Sequence, residues 1–276
     1  METNELESLH GELLKMMKEI HQICIDNGIR YTMLAGTMLG AIRHKGFIPW
    51  DDDIDLGMTY GNYKKFVRVM AHLNHPWLEI DFPLDKNYKY FVKVYDKNTT
   101  FVEEDHQNNI KGVFIDVFPI VFAGDSYQEV NRRITKCSFY KALLSRKLST
   151  IKNVSFKDKF FGCLSKIFSK RFLYNRMIAT YEEANGKERK FSTVLFSWNK
   201  DTMPTSLYNR VSLYNFEDIQ LYGVSDYDKY LSDKFGDYMK MPPENKRTPH
   251  HYKLLDLNTP YREFQTINDN CLTEKG

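Results

Sequence analysis

A chain of 276 residues that is 42% hydrophobic and 14% aromatic can bury a substantial core and is no disordered polymer. Its first residues carry Glu2, Glu5, Glu7 and Glu12 with no basic flank, against a secretory signal, and no run reaches the roughly 18 to 20 apolar residues that cross a bilayer. The net charge of +3 is modest, and no nucleic-acid motif accompanies the basic residues, which argues against a nucleic-acid partner.

Leu6, Leu9, Leu13, Met16, Met17, Ile20, Ile23 and Cys24 recur at three- and four-residue steps, predicting an amphipathic helix that Asn27-Gly28 stops. Ile29 to Leu34 reads as a short strand, Ala35-Gly36-Thr37 as a tight turn, and Met38 to Arg43 as a second helix ended by Lys45-Gly46. A loop with Pro49 leads into a strand from about Asp53 to Met58, after which Thr59 is expected to cap a helix running to about Leu73. Strands follow at Leu78 to Phe82, Tyr90 to Tyr95, Thr100 to Glu103 and Val113 to Phe118, the last running into Pro119. Beyond Gly124 the pattern is helical to about Asn185, and from Phe191 it mixes short strands, a helix at Tyr227 to Phe235 and a loop with Pro242-Pro243. The order predicts an α/β (α+β) fold in three parts: residues 1–125 as a core with an N-terminal helix, a basic helical region 126–190, and a C-terminal part 191–276.

Cys24, Cys137, Cys163 and Cys271 lie far apart with no Cys-x-x-Cys spacing, so they read as reduced thiols of a cytoplasmic protein, in neither a zinc cage nor a disulfide framework. Charge is unevenly placed. Residues 131–176 hold thirteen Lys and Arg against the single acid Asp158, so the rest of the chain is net acidic. Such a split suggests one surface that meets anionic material and a separate site built from carboxylates.

Asp51, Asp52, Asp53 and Asp55 fall within five residues. In a strand, side chains alternate, so Asp53 and Asp55 share one face while Ile54 and Leu56 enter the core. Paired carboxylates repel unless a cation lies between them, and oxygen ligands on a rigid strand suit Mg2+. Asp116, in Val113-Phe114-Ile115-Asp116-Val117-Phe118, is costly to bury without a partner. It is either a strand acid paired with a Lys or Arg, or a further metal ligand or general base. Gly36-Thr37 could let backbone and hydroxyl approach a phosphate, with Arg43, His44 and Lys45 close by to neutralise it or simply to solvate a helix end.

The run from Leu34 through Gly36-Thr37, Arg43-His44-Lys45-Gly46, Pro49-Trp50 and Asp51-Asp52-Asp53-Ile54-Asp55 to Gly57 resembles the signature of the LicD family. That family includes bacterial phosphorylcholine transferases and is related to fukutin-type phosphoalditol transferases. Lys93-Val94, Lys111 to Pro119, Tyr230-Leu231, Gly236-Asp237-Tyr238-Met239 and Pro242 to Arg247 with His250-His251 extend the likeness over about residues 25–255, the basic middle matching least. The resemblance implies a nucleotidyltransferase-like mixed sheet with flanking helices, and a Mg2+ site at Asp53, Asp55 and Asp116. It implies substrate contacts from Gly36, Thr37, Arg43, Lys45, Asp51 and Asp52, with His44 beside them. Arg247, His250 and His251, from the C-terminal part, would close over the leaving phosphates. It further implies CDP-choline, or a related CDP-alcohol, as donor and a glycan or lipid-linked glycan acceptor of teichoic acid or lipopolysaccharide type. A choline head would favour an aromatic cage, for which Trp50 and Trp198 stand as candidates. Other readings are transfer of ribitol or glycerol phosphate, a true nucleotidyltransferase, and a membrane-associated scaffold without turnover. The zinc-binding cysteine cluster of fukutin-related proteins has no counterpart in this sequence.

The basic middle interleaves its cations with Phe139, Tyr140, Leu143, Leu144, Phe160, Phe161, Leu164, Ile167, Phe168 and Phe172. Two readings fit. It is a helical unit whose apolar face packs inward, or a peripheral contact for the anionic inner face of a membrane.

Overall fold

The computed structural model describes residues 3–82, 91–103, 110–148, 156–185, 187–195, 201–247 and 252–266. The first helix, α1 (Thr3–Asp26), buries the predicted stripe, with Leu9, Leu13, Met16, Met17 and Ile20 fully excluded from solvent. Each such side chain contributes roughly 1.5–3 kcal/mol by leaving water. Gly28 takes a left-handed φ of 55°, and the Ile29 N–H returns to the Cys24 carbonyl at 2.8 Å to close the helix.

Along the chain follow β1 (Thr32–Met33), α2 (Ala35–Arg43), β2 (Asp55–Thr59), α3 (Tyr60–His72), β3 (Leu78–Asp81) and β4 (Val92–Asp96). Then come β5 (Thr100–Glu103), β6 (Ile110–Lys111), β7 (Phe114–Gly124), α4 (Tyr127–Leu148), α5 (Phe156–Ile167) and α6 (Lys170–Asn185). The C-terminal part supplies β8 (Phe191–Val194), β9 (Thr202–Pro204), α7 (Thr205–Asn209), β10 (Val211–Phe216), β11 (Ile219–Val224), α8 (Tyr227–Phe235) and β12 (Tyr252–Asp256).

The main sheet runs β1-β2-β7-β4-β3, with β8 and β9 added beside the far half of β7. Among the described residues only β2 and β7 pair in parallel; the other pairs are antiparallel. A hairpin of β10 and β11 and a three-stranded sheet, β12-β5-β6, complete the mixed α/β architecture.

Several expected boundaries move. The strand at residues 29–34 shrinks to two residues, and α2 begins three residues early, so Gly36 and Thr37 lie inside its first turn. Regular pairing in β2 starts at Asp55, two residues after Asp53. Thr59 precedes α3 without capping it, because its hydroxyl accepts from the Asn62 side chain at 2.8 Å. Strand β7 passes through Pro119 to Gly124. The proline is tolerated because pairing to β4 ends at Val117 and pairing to β8 begins at Ile120, so no ladder bond is lost there.

The helices α4 and α6 build a second, smaller core from Cys137, Leu143, Leu144, Leu173, Met177 and Tyr181 against Val121 and Leu195. Leu143 and Leu144, with the partly buried Tyr140, Leu164 and Phe168, therefore turn inward, while Phe139, Ile167 and Phe172 stay exposed, and the side chains of Phe160 and Phe161 lie outside the described residues. Among the described residues no helix is long and apolar enough to cross a membrane. Cys24, Cys137 and Cys163 are free, and Cys271 lies outside the described residues.

Candidate active site

Parallel pairing of β2 with β7 sets Asp55 directly beside Asp116. Antiparallel pairing of β4 with β7 sets Lys93 on the other side of Asp116. The three therefore form one cross-strand row, and register partners present their side chains on the same face. Lys93 is 2% exposed, yet its ammonium lies 3.2 Å from Asp116 Oδ1 and 3.3 Å from Glu103 Oε1. A buried charge needs such partners. Asp116 is thus both a paired strand acid and a neighbour of the other carboxylates.

The segment before β2 supplies the rest. Asp51, Asp52 and Asp53 each offer a carboxylate oxygen, all within 4.8 Å of one another, and Asp52 is buried. Asp55 and Asp116 stand outside that triplet but close to it. Burial, and then the negative charges of Asp53, Asp116 and Asp51, hold the Asp55 carboxyl well above the usual carboxylate range, with Lys93 opposing them. Five acids, Asp51, Asp52, Asp53, Asp55 and Asp116, gathered near the buried Lys93 ammonium fit a hard divalent cation, which would relieve their repulsion.

Helix α2 braces this cluster. The Asp55 N–H donates to Thr37 Oγ1 at 2.9 Å, and the Leu34 N–H donates to the Asp55 carbonyl at 2.9 Å. A β-carbon at Gly36 would fall 2.5 Å from Asp51 Oδ2, so glycine is what lets that carboxylate lie against the helix start. On α1, His10 donates to the Asp51 carbonyl at 2.6 Å while stacked on Phe47, and burial depresses its pKa. The Ala35 N–H donates to the buried Tyr230 hydroxyl of α8 at 3.0 Å, tying the C-terminal part to the same turn.

A basic and aromatic group flanks the acids at the other end of α2. Arg43 donates to the Tyr238 carbonyl at 3.0 Å, and the His44 ring meets Trp50 edge-on at 6.0 Å. The Arg247 guanidinium lies 5.5 Å from the Trp50 ring centre. Burial and the Arg43 charge lower the His44 pKa. Lys45 is exposed, with φ of 64°, and its carbonyl accepts from the Glu217 N–H at 2.7 Å. Trp198, His250 and His251 lie outside the described residues.

Two further residues are placed here that the sequence reading left without a role. Lys93 is one. Glu217, in the β10–β11 turn, is the other: its carboxylate accepts from the Phe47 N–H at 2.9 Å and holds the loop leading toward the acids. A lone lysine in Phe91-Val92-Lys93-Val94-Tyr95 carried the same signal as Asp116, a charge in an apolar strand. Glu217 carried none.

Residues 28–167 match the LicD/FKTN/FKRP nucleotidyltransferase domain. A lipopolysaccharide cholinephosphotransferase LicD of Haemophilus influenzae is 29% identical over 261 residues, covering 86% of this chain and 92% of that protein. An uncharacterized protein of Rickettsia typhi is 40% identical over 58 residues, 21% of this chain and 19% of its own length. The human ribitol 5-phosphate transferase FKRP is 55% identical over 31 residues, 11% of this chain and 6% of its own.

Proposed function

The chain belongs to the LicD/FKTN/FKRP nucleotidyltransferase-domain family, and from that premise we propose that it moves phosphorylcholine from CDP-choline to a hydroxyl of a cell-surface glycan precursor, releasing CMP. The observation that carries this reading is the pairing of Asp55 with Asp116 beside Asp51–Asp53. Likeness to a lipopolysaccharide cholinephosphotransferase along most of both chains supports choline as the cargo over ribitol or glycerol phosphate, because the ribitol-phosphate likeness covers only 31 residues.

Asp53, Asp55 and Asp116 would hold Mg2+, which supplies positive charge to the donor pyrophosphate. Gly36 and Thr37 let the α2 turn approach that pyrophosphate, and Arg43, Lys45 and Arg247 take up the charge that grows on the departing CMP. The acceptor oxygen forms a bond to the choline-bearing phosphorus as the bond from that phosphorus to the bridging oxygen of CMP breaks. Asp116 takes the acceptor proton, and Lys93 fixes the orientation of its carboxylate. Positioning and charge neutralisation are the main tasks in such a displacement. Trp50 offers a ring face to the choline head. A lipid-linked acceptor would place the protein at the cytoplasmic face of the inner membrane, where exposed Phe139, Ile167 and Phe172 stand among Arg132, Lys136, Lys166 and Arg171.

The experiment supplies CDP-choline labelled in the choline, Mg2+ and an O-deacylated lipopolysaccharide acceptor. Release of CMP with label in the glycan is expected. Nucleotide on the acceptor with pyrophosphate released would overturn the reading.

A further inference from the structure

A cavity of ≈ 820 Å³ opens beyond the acids on the same face of the sheet. Gly57 and Thr59 line it and follow Asp55 at two-residue steps on β2. Ile120 and Phe122 line it and follow Asp116 at even steps on β7. At about 3.3 Å per residue, Gly57 sits about 7 Å and Thr59 about 13 Å from Asp55 along the strand. Its volume lies within the range of small-molecule sites. It shares no lining residue with the acidic cluster or with the group around Trp50.

The chemistry of the walls is specific. Tyr31 and Tyr208 are 1% and 3% exposed and back the wall from within the core, their hydroxyls bonded to His21 Nδ1 at 2.6 Å and to the Asp201 carbonyl at 3.0 Å. The half-buried Tyr60 and Phe122 supply the accessible ring surface. Around them lie Thr59, Asn62 and Asn209, which also bond within the protein, Asn62 Nδ2 to Thr59 Oγ1 at 2.8 Å and Asn209 Nδ2 to Glu188 Oε1 at 3.1 Å, and which keep further donor and acceptor capacity; Arg30 and Lys64 are exposed among the lining residues. Flat apolar surface interleaved with neutral hydrogen-bonding groups matches a sugar, which has a C–H face and a hydroxyl edge. Arg30 and Lys64 outnumber the one lining carboxylate, Glu188, so the rim suits an anionic substituent such as phosphate.

Position separates this recess from the donor. The cations suited to a nucleotide pyrophosphate, Arg43 and Arg247, belong to the group around Trp50, none of which lines the cavity, while the cavity lies farther along β2 from Asp55. Displacement at phosphorus runs in line, so attacking and leaving oxygens occupy opposite sides of the reacting atom. We propose that this cavity is the acceptor subsite and takes a saccharide, phosphate-substituted in its natural form, whose reacting hydroxyl reaches back to Asp116.

Gly61 gives a clean test. It lines the cavity in the first turn of α3, and a β-carbon there meets nothing within 4 Å, so a side chain can start from this position without a clash at its first atom. Saturation-transfer NMR with O-deacylated lipopolysaccharide should show sugar protons contacting the parent protein. Gly61→Trp should weaken that contact and raise the acceptor KM about tenfold or more, with the CDP-choline KM within about twofold of the parent. Gly61→Met, a smaller filler, keeps the measurement open should the tryptophan variant lose its fold. Unchanged saccharide contact in the filled variants, or a raised donor KM alone, would overturn the assignment. The inference rests on the transfer reading, and the two fail differently. Saccharide contact that Gly61→Trp removes, in a parent that transfers nothing, retires the reaction and keeps the site. Transfer that Gly61→Trp leaves intact retires the site and keeps the reaction.

Discussion

Replacing Lys93 with methionine removes the one ammonium that the row Asp55–Asp116–Lys93 places among the acids. The side chain is 3% exposed and pairs with Asp116, 13% exposed, and Glu103, 26% exposed. Methionine fills similar space, so the loss is electrostatic and not a cavity. Breaking a buried pair by deleting one partner costs about 3–5 kcal/mol, because the other charge is stranded. Glu103 can regain some water, which puts the expected value near the low end, about 3 kcal/mol. For a chain of this size that lowers Tm by roughly 6–12 °C. Urea unfolding of the parent and Lys93→Met, followed by circular dichroism, measures it. Adding Asp116→Asn to Lys93→Met should recover about 1 kcal/mol or more, since the stranded charge is gone. Mg2+ should stabilise Lys93→Met more than the parent. A variant within about 0.5 kcal/mol of the parent, insensitive to Asp116→Asn, would refute the reasoning.

Asp53→Ala and Asp55→Ala should each abolish choline transfer while far-ultraviolet dichroism stays native. Both should also lose any rise in Tm that Mg2+ gives the parent, a readout independent of turnover. Gly40→Ala should cost about 1–3 kcal/mol in chemical unfolding, because its β-carbon would collide with the Gly46 carbonyl, a backbone atom that cannot step aside. Stability should also fall on the acid side. Burial holds the His21 pKa below its ordinary 6.5, so folding favours the neutral ring. That contribution is complete above pH 6.5 and is lost as pH falls through the folded-state value. Tm measured from pH 7.5 to pH 5 should therefore drop less for His21→Gln than for the parent.

How much of this was legible in the sequence depended on range. Local patterns were readable: the stripe of α1, the alternation that turns Ile54 and Leu56 inward away from Asp53 and Asp55, and α8 from Tyr227 to Phe235. The adjacency of Asp55 and Asp116 was a conjecture from cost, because nothing in either segment encodes which strand lies beside which. Thr59 misled, since a hydroxyl well placed to cap can be claimed by a neighbouring side chain, here Asn62. Pro119 misled for a related reason: it ends a strand only where the missing donor would have been used. For the segment from Asn131 to Arg176 the inward packing of Leu143, Leu144 and Leu173 bears on one reading alone, and a membrane contact through exposed Phe139, Ile167 and Phe172 stays a proposal. The cavity had no sequence signal at all. Its walls come from residues as distant as Arg30 and Val211, gathered by tertiary contacts alone.

The pairing of β7 with β8 has a bearing on how such a protein can change. Gly124 faces Phe191 across the ladder, so the chain leaves the sheet at one point and, three helices later, re-joins it at the same place. Everything between is an excursion whose length and charge are free to vary without shifting the strands on which the acids are mounted. The helices rest on Val121 and Leu195, with Tyr60 of α3 packed beside them. A graft from a relative acting on a different surface polymer would need to re-cover those side chains.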